Sequence, residues 1–465
     1  MVVRYPRLGQ HPTGIEWSTA QTMITLMNWK VQGALHHKFC LLQTFPLDAD
    51  KYVFNTGMRL MSKNGNGYYT GSPPFSIIFP YLVFKSLSVD FEILNLRVFN
   101  LIGHLITTLF FYQMLRISLP PHPNREIAAL FGGMFFIFLA PNLWFVSNYY
   151  FWDTFWNYLW VIAMYQAVRV LQQISDGKIT TLSLCSLGLL NFFLVYSEYH
   201  GLLYSLSVIL LALTRRQNSP HYKRIIALLL LTSSSALLVT LLQYSSINGF
   251  GNFLRRLIRS GYEYSLFSAT AGDLARLGKQ YLNAFGFVLV LLSLMALIWA
   301  QLRSKPRSSP FTHNEKLLLF LAIFPVVIHN IIFLQWSAIH RHAILKSTVF
   351  LALIAAMLFN KIVFRFETSG VTKSLIGILT ATSLIGSVHT YSSFYAEPRY
   401  GEKFYRIGEM VKRTAGETEV VFAVSEAGIL PQIIYHSRRN IRKVRDLEGA
   451  RLWLQRHGRQ EGIVY

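Results

Sequence analysis

The chain has 465 residues, of which 52% are hydrophobic and only 14% are charged, with a formal net charge of +22. A soluble globular chain carries about a quarter charged residues, so this composition excludes an ordinary soluble protein. Many apolar residues lie in runs of about 20, each long enough to cross a hydrocarbon core of roughly 30 Å. In a bilayer, only a helix or a closed barrel satisfies the hydrogen bonds of the backbone. Apolar and polar residues do not alternate in these runs, as they would in barrel strands, so the runs are predicted to be helices. The sequence therefore predicts an all-α polytopic membrane protein.

The N-terminal segment precedes the first predicted membrane span. Residues 1–74 contain no apolar core long enough for a signal peptide, and the first apolar stretch begins at Phe75. The run 75–89 is short and contains Pro80, so we expect it to be an interfacial helix and not a span. We therefore predict that residues 1–91 form a first loop with interfacial helices.

The transmembrane domain is predicted at 92–391, with about ten spans. They lie at 92–115, 127–147, 153–172, 179–197, 200–214, 224–246, 281–302, 316–336, 343–363 and 372–391. Alternate short loops together hold 15 lysine and arginine residues, whereas the short loops between them hold one. The rule that basic loops face the cytoplasm then orients the chain, with both terminal segments outside. The longer outer loop 247–280 carries five basic residues and conflicts mildly with this rule.

The C-terminal segment has a different pattern. Residues 392–465 read as helix, strand, helix, strand, helix and strand in that order. Alternating helices and strands favour a small α/β unit. We expect a small soluble extracytoplasmic α/β domain after the last span.

Ionisable residues cluster at the predicted outer ends of the spans. A charge at the centre of a bilayer costs about 2.5–3.5 kcal/mol on insertion scales, so such residues are informative. The candidates are Glu16, Asp153, Glu198, His200, His340, Arg341 and Lys346. Each alone also fits a solvated or interfacial side chain. Because nearly every short outer loop carries one, they predict a single cavity that contains an acid, a base and a cation.

Other motifs give weaker signals. Asp48 and Asp50 form a lone Asp-x-Asp that could hold a divalent ion, although we favour a solvated loop. There is no cysteine-based metal motif, so we assign no metal ligand and leave a divalent metal open. The sequence also lacks a Walker loop, a dinucleotide fingerprint and a serine nucleophile elbow, which leaves an ATP-driven pump unsupported.

Three features resemble a known family. Glu16 precedes a long outer segment, the run Tyr68-Tyr69-Thr70-Gly71-Ser72-Pro73-Pro74-Phe75 opens a short juxtamembrane helix, and Asp153 follows the next outward span. This layout resembles the GT-C superfamily of integral-membrane glycosyltransferases, which includes protein mannosyltransferases and the lipid A aminoarabinose transferase. Two departures are that no span precedes Glu16 in this sequence and that Ile15-Glu16 stands where the family has an Asp-Glu pair.

The resemblance implies an inverting glycosyltransferase that uses a polyprenyl-phosphate-sugar donor and a glycan, lipid or protein acceptor. It would act at the outer face of the bacterial inner membrane, without a nucleic-acid partner. Glu16 would deprotonate the acceptor, and Asp153 would be the second catalytic carboxylate. Substrate-binding residues would be Tyr69, Glu198, His200, His340, Arg341 and Lys346. Lys346, Arg341 or the basic run 255–259 would neutralise the departing phosphate.

Two other functions compete with this hypothesis. A transporter or flippase of lipid-linked saccharides needs charged or broken helices near the middle of the bilayer. Most ionisable candidates lie at span ends, and the deeper exceptions are His104 and His329. A purely structural membrane subunit would leave the clustering at the outer face unexplained.

Overall fold

The computed structural model describes most of the chain. The described residues are 17–52, 59–122, 124–148, 150, 152–215, 219–302, 311–365, 370–394, 402–424 and 430–464. The predicted catalytic residue Glu16 lies outside them. Most of these residues are helical, in agreement with the expected helical class.

The N-terminal segment combines two helices with a small sheet. Helix α1 (Trp17–Gln32) is followed by strands β1 (Leu41–Leu42), β2 (Arg59–Met61) and β3 (Gly67–Tyr69). The strands are antiparallel, with β3 in the centre. Helix α2 (Phe75–Ser86) has 12 residues, or about 18 Å, which is too short to span a bilayer.

A large helical body follows this segment. Its helices are α3 (Ile93–Ser118), α4 (Arg125–Phe138), α5 (Ala140–Asn148), α6 (Trp152–Ser175), α7 (Thr181–Ser197), α8 (Gly201–Arg215), α9 (Pro220–Asn248), α10 (Phe250–Glu263), α11 (Ala271–Leu302), α12 (His313–Ile332), α13 (Leu334–Ile339), α14 (Ser347–Arg365) and α15 (Gly370–Phe394). A 3-10 helix, Arg341–Lys346, connects α13 to α14. One large apolar core joins all of these helices except α5, α10 and α13.

Several helices are long and apolar enough to cross a membrane. Among the described residues these are Ile93–Ser118, Pro220–Asn248, Ala271–Gln301, His313–Ile332 and Arg341–Val363. The pair formed by α4 and α5 would be a sixth, bent by 56°. Shorter apolar helices lie at Phe75–Ser86, Thr181–Ser197 and Gly201–Thr214. The described part of the chain thus has five or six helices that are long and apolar enough to span, and the number ten stays a prediction.

The bend between α4 and α5 has a local cause. Pro141 lacks the N–H that a continuous helix would need, which favours a break just before it. The side-chain amide of Asn142 donates to the carbonyl of Phe136 at 2.5 Å and satisfies a group at the end of α4. The break redirects the chain towards Tyr150 and the start of α6.

The C-terminal segment contains a parallel sheet. Its elements are α16 (Glu402–Thr414), β4 (Val420–Ala423), α17 (Pro431–Ser437), β5 (Ile441–Lys443), α18 (Leu447–Arg456) and β6 (Gly462–Val464). The central strand β4 pairs in parallel with both β5 and β6. Helix α17 packs against α1, so the two terminal segments of the chain are in direct contact.

A buried ion pair holds these two segments together. The carboxylate of Asp50 lies 3.2 Å from Nε of Arg439 and accepts the backbone N–H of Asn440 at 2.8 Å. Burial raises the pKa of Asp50 to about 6, against the opposing effect of Arg439, so the carboxylate is ionised at neutral pH. The expectation of a solvated loop is therefore wrong for Asp50, because it is fully buried against Arg439.

We predict that Arg439→Gln lowers the thermal midpoint of the purified protein by several degrees. The change leaves the Asp50 charge buried without its partner, and breaking a buried pair in this way costs about 3–5 kcal/mol. Thermal unfolding in detergent, followed by intrinsic fluorescence, measures the effect. Arg451→Gln on the exposed face of α18 is the matched control, and equal midpoints for the two variants would contradict the prediction.

Candidate active site

The amino group of Lys346 is the centre of a buried polar cluster. Its side chain is only 2% exposed. Its Nζ lies 3.1 Å from Oδ1 of Asp153 and 3.9 Å from Oε2 of Glu198. It also lies 2.9 Å from Nε2 of His200. Two separate parts of the chain thus place two carboxylates and a histidine around the ammonium group of a third.

Asp153 reaches this cluster from the beginning of a helix. It lies in the first turn of α6, where the partial positive charge of the helix N-terminus favours a carboxylate. Its side chain is fully buried. Oδ2 faces Nε2 of His342 at 3.3 Å, while Oδ1 faces Lys346. The two oxygens of one carboxylate are therefore held by two basic groups of the 3-10 helix.

Glu198 and His200 lie in the tight turn between α7 and α8. A Cβ atom at Gly201 would lie 2.6 Å from the backbone nitrogen of Val195, closer than real contacts allow. Glycine is therefore needed for the chain to fold back this closely. The turn brings Nδ1 of His200 within 2.5 Å of Oε1 of Glu198.

The hydrogen bonds indicate a neutral His200. Because the ammonium of Lys346 can only donate, Nε2 of His200 accepts this hydrogen bond. In the neutral tautomer that carries its proton on Nδ1, the ring then donates to Glu198. Burial raises the pKa of Glu198, with Lys346 opposing this shift. A carboxylate with a raised pKa is the better proton acceptor when it is ionised.

Aromatic rings enclose the cation. The amino group of Lys346 lies 5.0 Å from the ring centre of Trp336 and 5.5 Å from that of Trp156. Both distances fit cation–π contacts, which strengthen when the cation is withdrawn from water. The ring of His329 lies 3.6 Å from that of His200, centre to centre. Trp156 also belongs to the apolar core of the helices, so the cluster borders directly on that core.

Tyr69 forms the side of the site that comes from the N-terminal segment. It lies at the end of β3 and its ring stacks on Trp152 at 4.9 Å. Burial raises the pKa of Tyr69 well above its usual range, and the negative charges of Asp153 and Glu198 add to this effect. The phenol therefore stays protonated and is available as a hydrogen-bond donor beside the carboxylates.

Arg341 lies apart from the cluster and lines a neighbouring cavity of about 330 Å³. The other lining residues are Arg276, Lys279, Gln280, Asn283, Ile339 and Ile344. Three cationic side chains and two amides thus face one space, and Ile344 lies two residues from Lys346. This chemistry fits an anion such as a phosphate.

The structure places most of the predicted site residues together. Tyr69, Asp153, Glu198, His200 and Lys346 surround one point, and His340 is part of the adjoining aromatic group, 5.0 Å from Trp336 between ring centres. Arg341 lines the cavity beside them, and Glu16 lies outside the described residues. Whether these groups act in catalysis or binding stays a prediction.

Four contributors were not selected from the sequence. His342 contacts Asp153, His329 packs on His200, and Arg276 and Lys279 line the cavity. The ring of His329 also contacts those of Phe333 and Trp336, at 5.3 Å and 5.2 Å between centres, across the break between α12 and α13. The positions of Arg276 and Lys279 depend on how α11 packs, which no local pattern reveals.

A divalent metal does not fit between Asp153 and Glu198. The ammonium of Lys346 already lies between them and balances part of their charge. A dication would have to displace this buried lysine. Among the described residues, no group of three or more metal-ligating side chains forms a candidate site.

The fold matches solved membrane glycosyltransferases. ArnT from Cupriavidus metallidurans bound to undecaprenyl phosphate superposes with a TM-score of 0.61 at 10% identity, covering 99% of this chain and 87% of ArnT. The oligosaccharyltransferase AglB from Archaeoglobus fulgidus, in complex with an inhibitory peptide and a dolichol-phosphate, gives 0.55 at 11% identity. That match covers 95% of this chain and 62% of AglB, so the chain spans less than two thirds of AglB.

These similarities confirm the resemblance to the GT-C fold. At such low identity they show the fold alone. A second Archaeoglobus fulgidus oligosaccharyltransferase structure, a complex with Zn and sulfate, gives a TM-score of 0.53 at 14% identity and covers 95% of this chain and 60% of its own. No protein-family model and no curated protein matches the sequence.

We predict that Gly201→Ala disrupts the turn that holds Glu198 and His200. The added methyl group would meet the backbone of Val195, so the thermal midpoint should fall by several degrees. Gly286→Ala in α11 is the control, because a Cβ atom there meets nothing within 4 Å. Thermal unfolding of both purified variants tests this, and a midpoint like that of the wild type for Gly201→Ala would refute the assigned role of the turn.

Proposed function

We propose that this protein is a membrane glycosyltransferase that moves a sugar from a polyprenyl-phosphate donor to an acceptor hydroxyl or amine. The observation that carries the proposal is the buried pair of carboxylates, Asp153 and Glu198, held by Lys346 within the fold shared with ArnT and AglB. Those two proteins were solved with undecaprenyl phosphate and a dolichol-phosphate bound. The partners proposed here are therefore such a lipid donor, the membrane and a glycan, lipid or protein acceptor.

A carboxylate acts as the general base in this proposal. The acceptor is a weak nucleophile until a placed base removes its proton, and such catalysis contributes about 10²- to 10⁴-fold. Attack on the anomeric carbon then expels the lipid phosphate and inverts the configuration in one displacement. Glu16 is the proposed base, with Asp153 as the second catalytic carboxylate. In support, the hydroxyl of Thr19, in the first turn of α1, accepts the N–H of Tyr150 at 2.9 Å, close to Asp153 in the chain.

The basic cavity supplies the proposed binding site for the leaving phosphate. Arg276, Lys279 and Arg341 provide positive charge next to the carboxylate cluster. An arginine pair or an arginine and a lysine can bind the phosphate oxygens and stabilise the charge that develops on them. The cavity volume of about 330 Å³ suits a headgroup, while the lipid chain would remain in the bilayer.

The site would lie on the extracytoplasmic side of the membrane. The short loops that are rich in lysine and arginine lie at the other ends of the helices, and such loops face the cytoplasm. The ends that carry the site would then lie on the outer side. The segment 402–464 would then lie outside as an α/β domain next to the acceptor. Its contact with α1 supports a role in shaping the acceptor side of the site. The proposed location is a bacterial inner membrane.

Transfer should depend on the carboxylates and not on a divalent metal bound between them. We predict that Asp153→Asn and Glu16→Gln each lower the transfer rate at least about 100-fold, because each removes a catalytic carboxylate. Transfer of radiolabelled sugar from a polyprenyl-phosphate donor to a panel of acceptors, with and without a chelator, measures this. The exposed variant Glu263→Gln is the control.

Two outcomes would contradict this assignment. Normal transfer by Asp153→Asn would exclude that residue, and normal transfer by Glu16→Gln would exclude the proposed base. Membrane insertion and the thermal midpoint are measured for each variant, so that loss of activity is not confused with loss of folding. Complete inhibition by the chelator would contradict the metal-independent arrangement around Lys346.

We predict that Arg276→Gln combined with Lys279→Gln reduces retention of the lipid donor. Removing two of the three cations that line the cavity weakens phosphate binding by an expected tenfold or more. Native mass spectrometry of the purified protein, titrated with polyprenyl phosphate, measures the bound fraction. Arg451→Gln combined with Arg456→Gln removes the same charge outside this cavity, and equal losses in both double variants would refute the site.

A further inference from the structure

Helix α10 and the 3-10 turn Leu266–Ser268 after it present a row of large apolar side chains to the outside of the fold. The row consists of Phe250, Leu254, Ile258, Tyr262, Leu266 and Phe267. The first four recur every four residues, which places them along one face of the helix. Ile258 is 64% exposed and Phe267 is 84% exposed. A row of this size needs a partner that removes it from water.

The opposite face of α10 is basic. Arg255, Arg256 and Arg259 lie on it with one acidic residue, Glu263, so the helix carries a net charge of +2. At about 100° per residue, these four side chains fall within one arc that the apolar row does not enter. This division into an apolar and a basic face is typical of a helix that lies in a membrane interface.

The position of α10 in the chain also places it at a membrane surface. It connects the end of α9 to the beginning of α11, and both helices are long and apolar enough to span a bilayer. Gly249, with φ of +81°, allows the sharp change of direction between α9 and α10. A connection between two such ends lies where they leave the hydrocarbon.

One buried residue fixes the rotation of α10 about its own axis. Phe253 is 1% exposed and stacks on Tyr244 of α9 at 5.3 Å between ring centres. The hydroxyl of Tyr244 donates to the carbonyl of Ser72 at 3.2 Å, which ties this contact to the N-terminal segment. The rotation of α10 about its axis is therefore set by the protein, and its apolar row faces away from the body.

We propose that α10 is an interfacial helix that binds acidic phospholipid headgroups of the surrounding bilayer through Arg255 and Arg259. The apolar row inserts among the upper acyl chains, and the arginines extend to the phosphates. A zwitterionic surface would accommodate the apolar row but would leave the basic face unmatched, so the charge selects acidic lipids. This also accounts for basic residues in an outer loop, because they serve lipid contact and do not set topology.

The depth of α10 in the membrane tests the first half of the proposal. A nitroxide label at Ile258→Cys is placed in a Cys185→Ala background, where the remaining cysteine, Cys40, is buried. The full chain is reconstituted in nanodiscs that contain phosphatidylglycerol. We expect the label to collide with oxygen more than with a water-soluble nickel chelate, and the reverse for Asn252→Cys on the basic side. Equal accessibility to the nickel chelate at both positions would overturn the proposal.

Lipid selectivity tests the second half. The relative association of spin-labelled phosphatidylglycerol and phosphatidylcholine is measured for the same reconstituted protein. The wild type should prefer phosphatidylglycerol severalfold, and Arg255→Gln combined with Arg259→Gln should bring this ratio close to one. Arg451→Gln combined with Arg456→Gln on α18 removes the same charge and should leave the ratio unchanged.

Two results would overturn the lipid assignment, once the polyprenyl phosphate retained by the double variant is also measured by native mass spectrometry. An unchanged ratio in the Arg255 and Arg259 double variant would show that these arginines do not contact headgroups. Loss of bound polyprenyl phosphate with an unchanged preference for phosphatidylglycerol would show that they serve a single lipid and not the bilayer surface.

Discussion

The burial of Lys346 is the constraint on which the rest of the site depends. An ammonium group withdrawn from water is unfavourable unless opposite charges and hydrogen-bond partners surround it. Here Asp153, Glu198 and His200 supply those partners from α6 and from the turn after α7. Helix α6 has to begin, and helix α7 has to end, at the right residue for the cluster to form. The lengths and junctions of the surrounding helices are therefore tied to one side chain.

The N-terminal and C-terminal segments pack next to the part of the chain that leads into this cluster. Thr19 and Thr22 of α1 bond to the backbone of Tyr150, just before α6 begins. Helix α17 packs on α1 from the other side, and the Asp50–Arg439 pair fixes that contact. A chain of contacts thus connects the C-terminal segment, through α1, to the residue that precedes α6.

Sequence patterns predict the helical class and much of the site, but not the way the site is assembled. Apolar runs mark the long helices, and the ionisable residues Asp153, Glu198 and Lys346 stand out because nearly every short outer loop carries such a residue. The sequence does not reveal that Asp50 is buried, because its partner Arg439 lies almost 400 positions away in the chain. Arg276 and Lys279 are likewise hidden, since their role depends on how α11 packs beside the 3-10 helix. Pairing across such distances is decided by tertiary packing and not by local pattern.

The two kinds of cation near the site are suited to different tasks. Lys346 is enclosed by two carboxylates, so much of its charge is already balanced and it attracts a further anion only weakly. Arg276, Lys279 and Arg341 line an open cavity, where a phosphate can approach them directly. This difference supports the cavity as the binding place for the phosphate of the proposed lipid donor. Lys346 is better suited to orient the carboxylates and to adjust how readily they accept a proton, through its bond to His200 and its contact with Asp153.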